Sequence, residues 1–283
     1  MRGQMQFVRH EAWFVLEGRW RVARHISGGQ SHKLVNRVGG TAESFSRALS
    51  MMMKWRSVEE SAPGTETRPL RDILAQRKEL IAKYVPPETQ AIHERAVAEL
   101  KQRRLADNIL RIGEKAAEFE LPDHNGKIIS SANLLAKGRL VVSFIRGRWC
   151  PFCVGQMEAM NIALAQMARW GASFVAISPQ TVKQSFFMHD QHKLCFSLLS
   201  DSGNKVARQF GLTHPVNDEQ QAVYRHAFVN LPFANGDETW ELPMPATYIL
   251  ESDRTVLYAS ANEDYTERPE PYEIVDILER QSR

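Results

Sequence analysis

The stretch Phe144-Ile145-Arg146-Gly147-Arg148-Trp149-Cys150-Pro151-Phe152-Cys153 constrains this chain more than any other. The apolar run Leu140-Val141-Val142-Ser143-Phe144-Ile145 reads as a buried strand. Beyond the cysteines, Met157, Met160, Leu164 and Met167 recur at three- and four-residue steps, the period of a helix. Two cysteines with two residues between them therefore lie where a strand ends and a helix begins. The first turn of a helix has unpaired N–H groups and the positive end of the dipole. A thiolate is stabilised there over a thiol, so its pKa falls. Arg146 and Arg148 add positive charge, and Trp149 is placed to shield the sulfurs. Pro151 suits the first helical turn, where a missing N–H costs nothing. Two cysteines three apart can close a small disulfide or share one proton. The competing readings are two ordinary core cysteines or half of a zinc site. The strand–turn–helix context favours redox chemistry.

Composition narrows the setting. A chain of 283 residues allows one large domain or one domain with appendages. With 43% hydrophobic and 24% charged residues it is globular. No apolar run approaches the ~20 residues of a membrane helix, so no membrane partner is expected. A net charge of +3 is too small to imply nucleic acid. Cys150, Cys153 and Cys195 are an odd, sparse set that argues against a secreted disulfide scaffold. A reducing, cytoplasmic setting is expected.

Residues 1–66 are rich in arginine (Arg2, Arg9, Arg19, Arg21, Arg24, Arg37, Arg47) and poor in acid, with no sustained period. Such a leader is read as a poorly ordered basic extension. A transit peptide, or a true start near Met51, Met52 or Met53, are the alternatives. Residues 67–110 read as a helical pair. Leu70, Ile73, Leu74, Leu80 and Ile81 form one apolar face, Pro86-Pro87 breaks it, and Ile92, Ala96, Val97 and Leu100 form the next. The pair could pack on a domain or on another subunit, and a homodimer is one possibility. His93 is read as a solvated helix residue.

Residues 111–283 change pattern. Phe119-Glu120-Leu121 and Lys127-Ile128-Ile129 flank an Asn125-Gly126 turn, with His124 a turn residue. Residues 171–179 form a second buried strand, and Thr181 to about Asp190 a helix. Cys195 to Leu199 read as a short strand, with Cys195 a small buried hydrophobe or a distal resolving thiol. Lys205 to Phe210 make a helix stopped by Gly211. Residues 213–240, with His214 and His226, look like a polar insertion. Strands at 247–250 and 255–258 and a helix marked by Ile274, Val275, Ile277 and Leu278 close an α/β layered sheet.

This order resembles the thioredoxin fold, a central mixed sheet flanked by helices, here with an N-terminal helical extension. More specifically, the chain resembles the CxxC-containing, peroxiredoxin-like branch of the alkyl hydroperoxide reductase / thiol-specific antioxidant superfamily. The resemblance rests on residues 113–123, 144–153, 177–180, 199–201, 210–212, 243–248 and 264–268. It implies that Pro245 precedes a core strand through a cis bond and faces the CxxC. It also implies a thiol peroxidase. In the P-x-x-x-T/S-x-x-C motif of the family, Cys153 takes the peroxidatic place, Cys150 replaces the Thr or Ser, and Arg146 replaces the Pro. Arg146, Arg148 and Arg268 are the candidates for the family's separate arginine. Arg146, Arg148, Trp149 and Pro245 are then substrate-binding candidates.

The implied cycle has Cys153 attack hydrogen peroxide or an alkyl hydroperoxide, Cys150 resolve it, and thioredoxin or glutaredoxin return the electrons. No cofactor or metal is implied. The alternative is a thioredoxin- or glutaredoxin-like protein-disulfide oxidoreductase, in which Cys150 attacks and Cys153 resolves. A third reading has no catalysis: a zinc or binding protein using Cys150, Cys153, Cys195 and a histidine. His189 and His192, near Cys195, are read as solvated.

Overall fold

The structure, a computed structural model, describes residues 68–282 and, as backbone alone, residues 12–16 and 19–23. Within the leader, β1 (Ala12–Leu16) pairs antiparallel with β2 (Arg19–Ala23). The rest of the expected basic extension lies outside the described residues.

Strand β5 (Arg139–Phe144) is the centre of the sheet. It pairs parallel with β6 (Ala172–Ser178), which pairs parallel with β7 (Ser197–Ser200). On its other side it pairs antiparallel with β10 (Ala246–Leu250), which pairs antiparallel with β11 (Val256–Ala261). The order is β11-β10-β5-β6-β7. Both faces of β5 are covered, which is why its sequence is a continuous apolar run rather than an alternating one. Alternate residues serve opposite layers. Val141 and Ile145 pack with Met157, Met160, Ile274 and Leu278. Leu140, Val142 and Phe144 pack with Phe210, Tyr248 and Val256. This is the thioredoxin-like α/β fold that the strand and helix order led us to expect.

The helices of the first layer are α1 (Leu70–Tyr84), α4 (Pro151–Arg169) and α9 (Pro271–Arg280). Between α1 and α4 come α2 (Pro87–Gln102) and the short α3 (Ser131–Leu135). The hairpin of β3 (Glu120–Pro122) and β4 (Ile128–Ser130) closes at the expected turn. There the Asp123 carboxylate accepts the N–H groups of Asn125 and Lys127 at 2.8 and 2.9 Å. Helix α5 (Val182–Gln191) follows β6, and α6 (Lys205–Gln209) follows β7.

The helical pair is welded to the core. Leu70 and Leu74 of α1 belong to the same buried cluster as Met157 and Leu278. The residue before α1 is Pro69, which has no side-chain acceptor for the first N–H groups. Glu270, 200 positions away, supplies it: its carboxylate accepts Leu70 N–H at 3.0 Å and Arg71 N–H at 2.7 Å. Two donors that would be orphans are thereby satisfied by an anion at the positive end of the helix. Glu270→Ala is expected to cost about 1 kcal/mol of stability, as loss of a helix cap does. Urea unfolding would measure it, and an unchanged midpoint would deny the cap its role.

Two expectations need correction, after one addition: residues 213–240, expected to be a polar insertion, carry regular structure. They hold β8 (Thr213–Pro215), α7 (Asp218–His226) and α8 (Leu231–Asn235), and β8 pairs with β9 (Glu241–Pro243). The segment reads as polar because only one side of each helix is buried: Tyr224 of α7 and Leu231 of α8 share a small core with Val216 and Leu242. Cys195 is exposed rather than buried, and β7 begins two residues later. Its apolar neighbours Leu194 and Phe196 take the interior positions instead. The Met244–Pro245 bond is trans, as no described peptide bond is cis. Trans is the default even for X–Pro bonds. Among the described residues, no helix is long and apolar enough to cross a membrane.

Candidate active site

Cys150 is the N-cap of α4 and Pro151 its first helical residue, so Cys153 falls at the third position of the first turn. The chain reaches this point through Gly147, whose φ is +144°. A Cβ there would lie 2.8 Å from Trp149 Nε1 and 2.9 Å from the Gln180 side-chain carbon, so only glycine fits. Both cysteines are free thiols and buried, Cys150 1% and Cys153 0% exposed.

The two sulfurs are hydrogen-bonded to each other and are not equivalent. Cys153 Sγ also accepts the backbone N–H of Arg146 at 3.4 Å and the guanidinium of Arg268 at 3.6 Å. Burial by itself would raise the Cys153 pKa. The hydrogen bond from Cys150, the charges of Arg268 and Arg146, and the Arg146 N–H outweigh it and pull the thiol well below its ordinary range. Burial pushes the Cys150 thiol up, and donating to its neighbour keeps it protonated. These surroundings favour Cys153 as the thiolate and Cys150 as the thiol.

The depressed value sets a pH signature. Such an acid stays charged as pH falls through neutrality and gains its proton only on acidification past the lowered value. In a Cys150→Ser, Cys195→Ser protein the serine hydroxyl still donates to Cys153. Its ultraviolet thiolate absorbance is expected to persist on the acid side of neutrality. A midpoint in the ordinary thiol range, about 8.5, would remove the electrostatic assignment.

Arg146 is buried and held in an aromatic cage, its guanidinium 4.8 Å from the Trp149 ring, 5.9 Å from Tyr224 and 4.1 Å from Tyr265. It also donates to the Tyr224 hydroxyl. Burial disfavours its charge, but the phenols and thiols around it hold the proton more tightly than usual. Arg148 turns away. Its backbone N–H donates to Gln180 at 2.7 Å and its Nε to Gln184 at 2.8 Å, which directs it to α5 rather than to the sulfurs. Of the three candidate arginines, Arg146 and Arg268 act on Cys153. Trp149 is half-buried against Arg146 and Tyr224 and lines the cleft over Cys150. Pro245 is buried but is not part of the cleft above the cysteines.

That cleft encloses about 2180 Å³ and is walled by α1, α2, α7, α8 and the loop carrying Tyr265. Cys150 lines it; Cys153 and Arg268 do not. His93 is a wall residue, not a solvated one, with its ring 5.8 Å from Tyr224 and 6.2 Å from Tyr265. Burial, then the charge of Arg146, lower its pKa to about 4, so it is neutral at pH 7.

A second polar cluster braces α4 from below. Arg77 of α1 donates to the Pro151 carbonyl, and its guanidinium lies 3.8 Å from Glu158. Glu158 in turn meets His192 Nδ1 at 2.8 Å, so His192 is buried and paired, not solvated. Gly155 leaves room for Arg77: a Cβ there would lie 2.3 Å from its Nη1. His189 stacks on His124 with ring centres 3.5 Å apart, and His214 and His226 bond local carbonyls. Among the described residues, no three His, Cys, Asp or Glu side chains gather as metal ligands. That leaves the zinc reading without a ligand set there.

Sequence reasoning found Cys150, Cys153, Arg146 and Arg268. It missed Tyr224, His93, Arg77 and Glu270, which carry no local signature. Tyr265 was within reach, since it lies in the Asp264–Arg268 segment already singled out.

A putative peroxiredoxin of Mycobacterium tuberculosis is 29% identical over 120 residues, 42% of this chain and 78% of that protein. Peroxiredoxin Bcp of Escherichia coli is 27% identical over 105 residues, 37% of this chain and 67% of its own length. The crystal structure of a peroxiredoxin Q mutant of Xylella fastidiosa superposes with a TM-score of 0.50 at 14% identity, over 62% of this chain and 98% of that one. This last likeness is one of fold. Residues 112–259, from the strand hairpin through the cysteine pair to β11, match the AhpC/TSA family. A chain matched across this span, with the mixed sheet and the helix-mouth thiolate just described, belongs to the AhpC/TSA family.

Proposed function

We propose that the protein is a thiol peroxidase in which Cys153 is the peroxidatic residue and Cys150 the resolving one. The observation that carries this is the surroundings of Cys153 Sγ: the Arg146 N–H at 3.4 Å and the Arg268 guanidinium at 3.6 Å. A thiolate held by fixed donors is a nucleophile at neutral pH. The same donors can stabilise the negative charge that develops on the peroxide oxygens.

The Cys153 thiolate attacks one oxygen of the hydroperoxide, the O–O bond breaks, and an alcohol or water leaves with a proton. Cys153 becomes a sulfenic acid. The Cys150 sulfur then attacks it, water leaves, and a Cys150–Cys153 disulfide forms. An external thiol returns two electrons by exchange. Relatives named peroxiredoxins support the peroxidase half of this cycle.

The protein-disulfide oxidoreductase alternative needs Cys150 as the attacking thiolate. Burial and the proton it donates to Cys153 both work against that. The test is a substoichiometric peroxide dose to Cys150→Ser protein with dimedone present, followed by peptide mass spectrometry. The dimedone adduct is expected on Cys153. Its absence there, with full peroxide still unspent, would count against the peroxidase.

A further inference from the structure

Arg148 turns away from the sulfurs, yet it lines the cleft two residues before Cys150. We propose that Arg148, with Gln180 and Trp149, binds the carboxylate of an organic hydroperoxide whose apolar body occupies the cleft. This deepens the peroxidase reading and rests on it for the hydroperoxide group alone.

Arg148 is a cation without an anion. Its Nε donates to Gln184 at 2.8 Å, and its guanidinium carbon lies 5.8 Å from the Phe187 ring. The two terminal nitrogens meet no acceptor among the described residues. Burial pushes the Arg148 pKa down, and no carboxylate there offsets it. Taking a charge out of water without a partner is costly. A ligand carboxylate removes that cost and matches the planar fork with two parallel hydrogen bonds.

The neighbours of Arg148 repeat the pattern independently. Gln180 is 0% exposed, and its Oε1 accepts the Arg148 N–H at 2.7 Å, which fixes the other end of the amide as the nitrogen. That Nε2 has no acceptor, and neither has the buried Nε1 of Trp149. Both side chains border Gly147, where a Cβ would lie 2.8 Å from the indole nitrogen and 2.9 Å from the amide carbon. Buried donors are nearly always paired. Arg148, Trp149 and Gln180 all line the cleft, so one wall gathers donors and lacks an acceptor. At about 2180 Å³ the cleft is far larger than hydrogen peroxide needs, and Ile81, Val85, Phe228 and Phe233 give it apolar sides. A ligand held by its carboxylate at Arg148 points its hydroperoxide to the floor. There lies Cys150 and, one hydrogen bond below it, Cys153.

The test begins with binding, which needs no peroxide. Reduced full-length protein is titrated by calorimetry with para-isopropylbenzoate and with its neutral amide, para-isopropylbenzamide. The acid is expected to bind about tenfold or more tightly than the amide, the worth of a hydrogen bond to a charged group. Arg148→Gln is expected to erase the difference, and Arg148→Lys to keep part of it. Equal binding of acid and amide to the unaltered protein, no binding of either, or an acid preference surviving in Arg148→Gln would each overturn the proposal. The first two outcomes require no variant to fold. Peroxidase turnover is then compared for cumene hydroperoxide and its para-carboxylate. A kcat/KM ratio favouring the carboxylate by a similar factor is expected, and a ratio of one in Arg148→Gln. Equal kcat/KM values for the two in the unaltered protein would also overturn the proposal. Failure to consume either hydroperoxide, with the acid still bound through Arg148, would remove the peroxidase reading and the hydroperoxide with it, leaving the carboxylate site.

Discussion

Cys153→Ser is expected to bring peroxide consumption down to that of buffer, while Cys150→Ser retains a single turnover and then stops. The asymmetry follows from the surroundings of the two sulfurs rather than from their place in the motif. Cys153 accepts from Arg146 N–H, from Arg268 and from the Cys150 thiol. A serine hydroxyl in the same place does not ionise near neutrality, so no nucleophile is left. Cys150 is a protonated donor whose part in the first chemical step is one hydrogen bond, which serine also makes. Without its sulfur the sulfenic acid has no partner and waits on an outside thiol. Peroxide disappearance, measured with excess thiol donor and again without any donor, separates the two variants. Full peroxidase activity in Cys153→Ser would exchange the roles and return the oxidoreductase order of attack.

Arg268→Met should be the next most damaging change. Methionine keeps much of the side-chain reach and removes the charge and the donor 3.6 Å from Cys153 Sγ. Loss of one such preorganised donor typically costs ~10²–10³ in rate. Two readouts should move together. The single-turnover rate of disulfide formation falls, and the Cys153 titration midpoint rises toward the ordinary thiol range, because a cation that favoured the thiolate is gone. At a pH well above that new midpoint the thiolate is restored, so part of the rate returns. Lysine at this position restores charge but not the planar fork, and is expected to recover the midpoint better than the rate. An unchanged midpoint in Arg268→Met would leave the Cys150 hydrogen bond, Arg146 and the helix mouth as the sources of acidity.

Several features could be read from local sequence because local physics decides them. The run from Leu140 to Ile145 has to be a strand buried on both faces. Pro151 at the first helical residue and the apolar steps to Met167 have to open a helix. Asp123 to Lys127 closes its hairpin with its own carboxylate. Gly211 ends α6 at a φ of +71°. Cys195 shows the limit of the same logic. Its apolar neighbours suggested burial, but a residue between two buried side chains in an irregular segment can face outward, and it does. His93 failed the other way: its polar helix lies under α7, which the sequence presented as an insertion.

The chain alone thus determined that two thiols stand at the mouth of a helix beside a buried sheet, because strand, turn and first helical turn are contiguous and their preferences are short-range. Which thiol carries the charge was decided by the tertiary structure. The deciding groups are the guanidinium of Arg268, 115 positions from Cys153, and the cage of Tyr224 and Tyr265 around Arg146. Coulomb forces and hydrogen bonds act through space, and no spacing along a chain records which distant side chain will arrive within 4 Å of a sulfur.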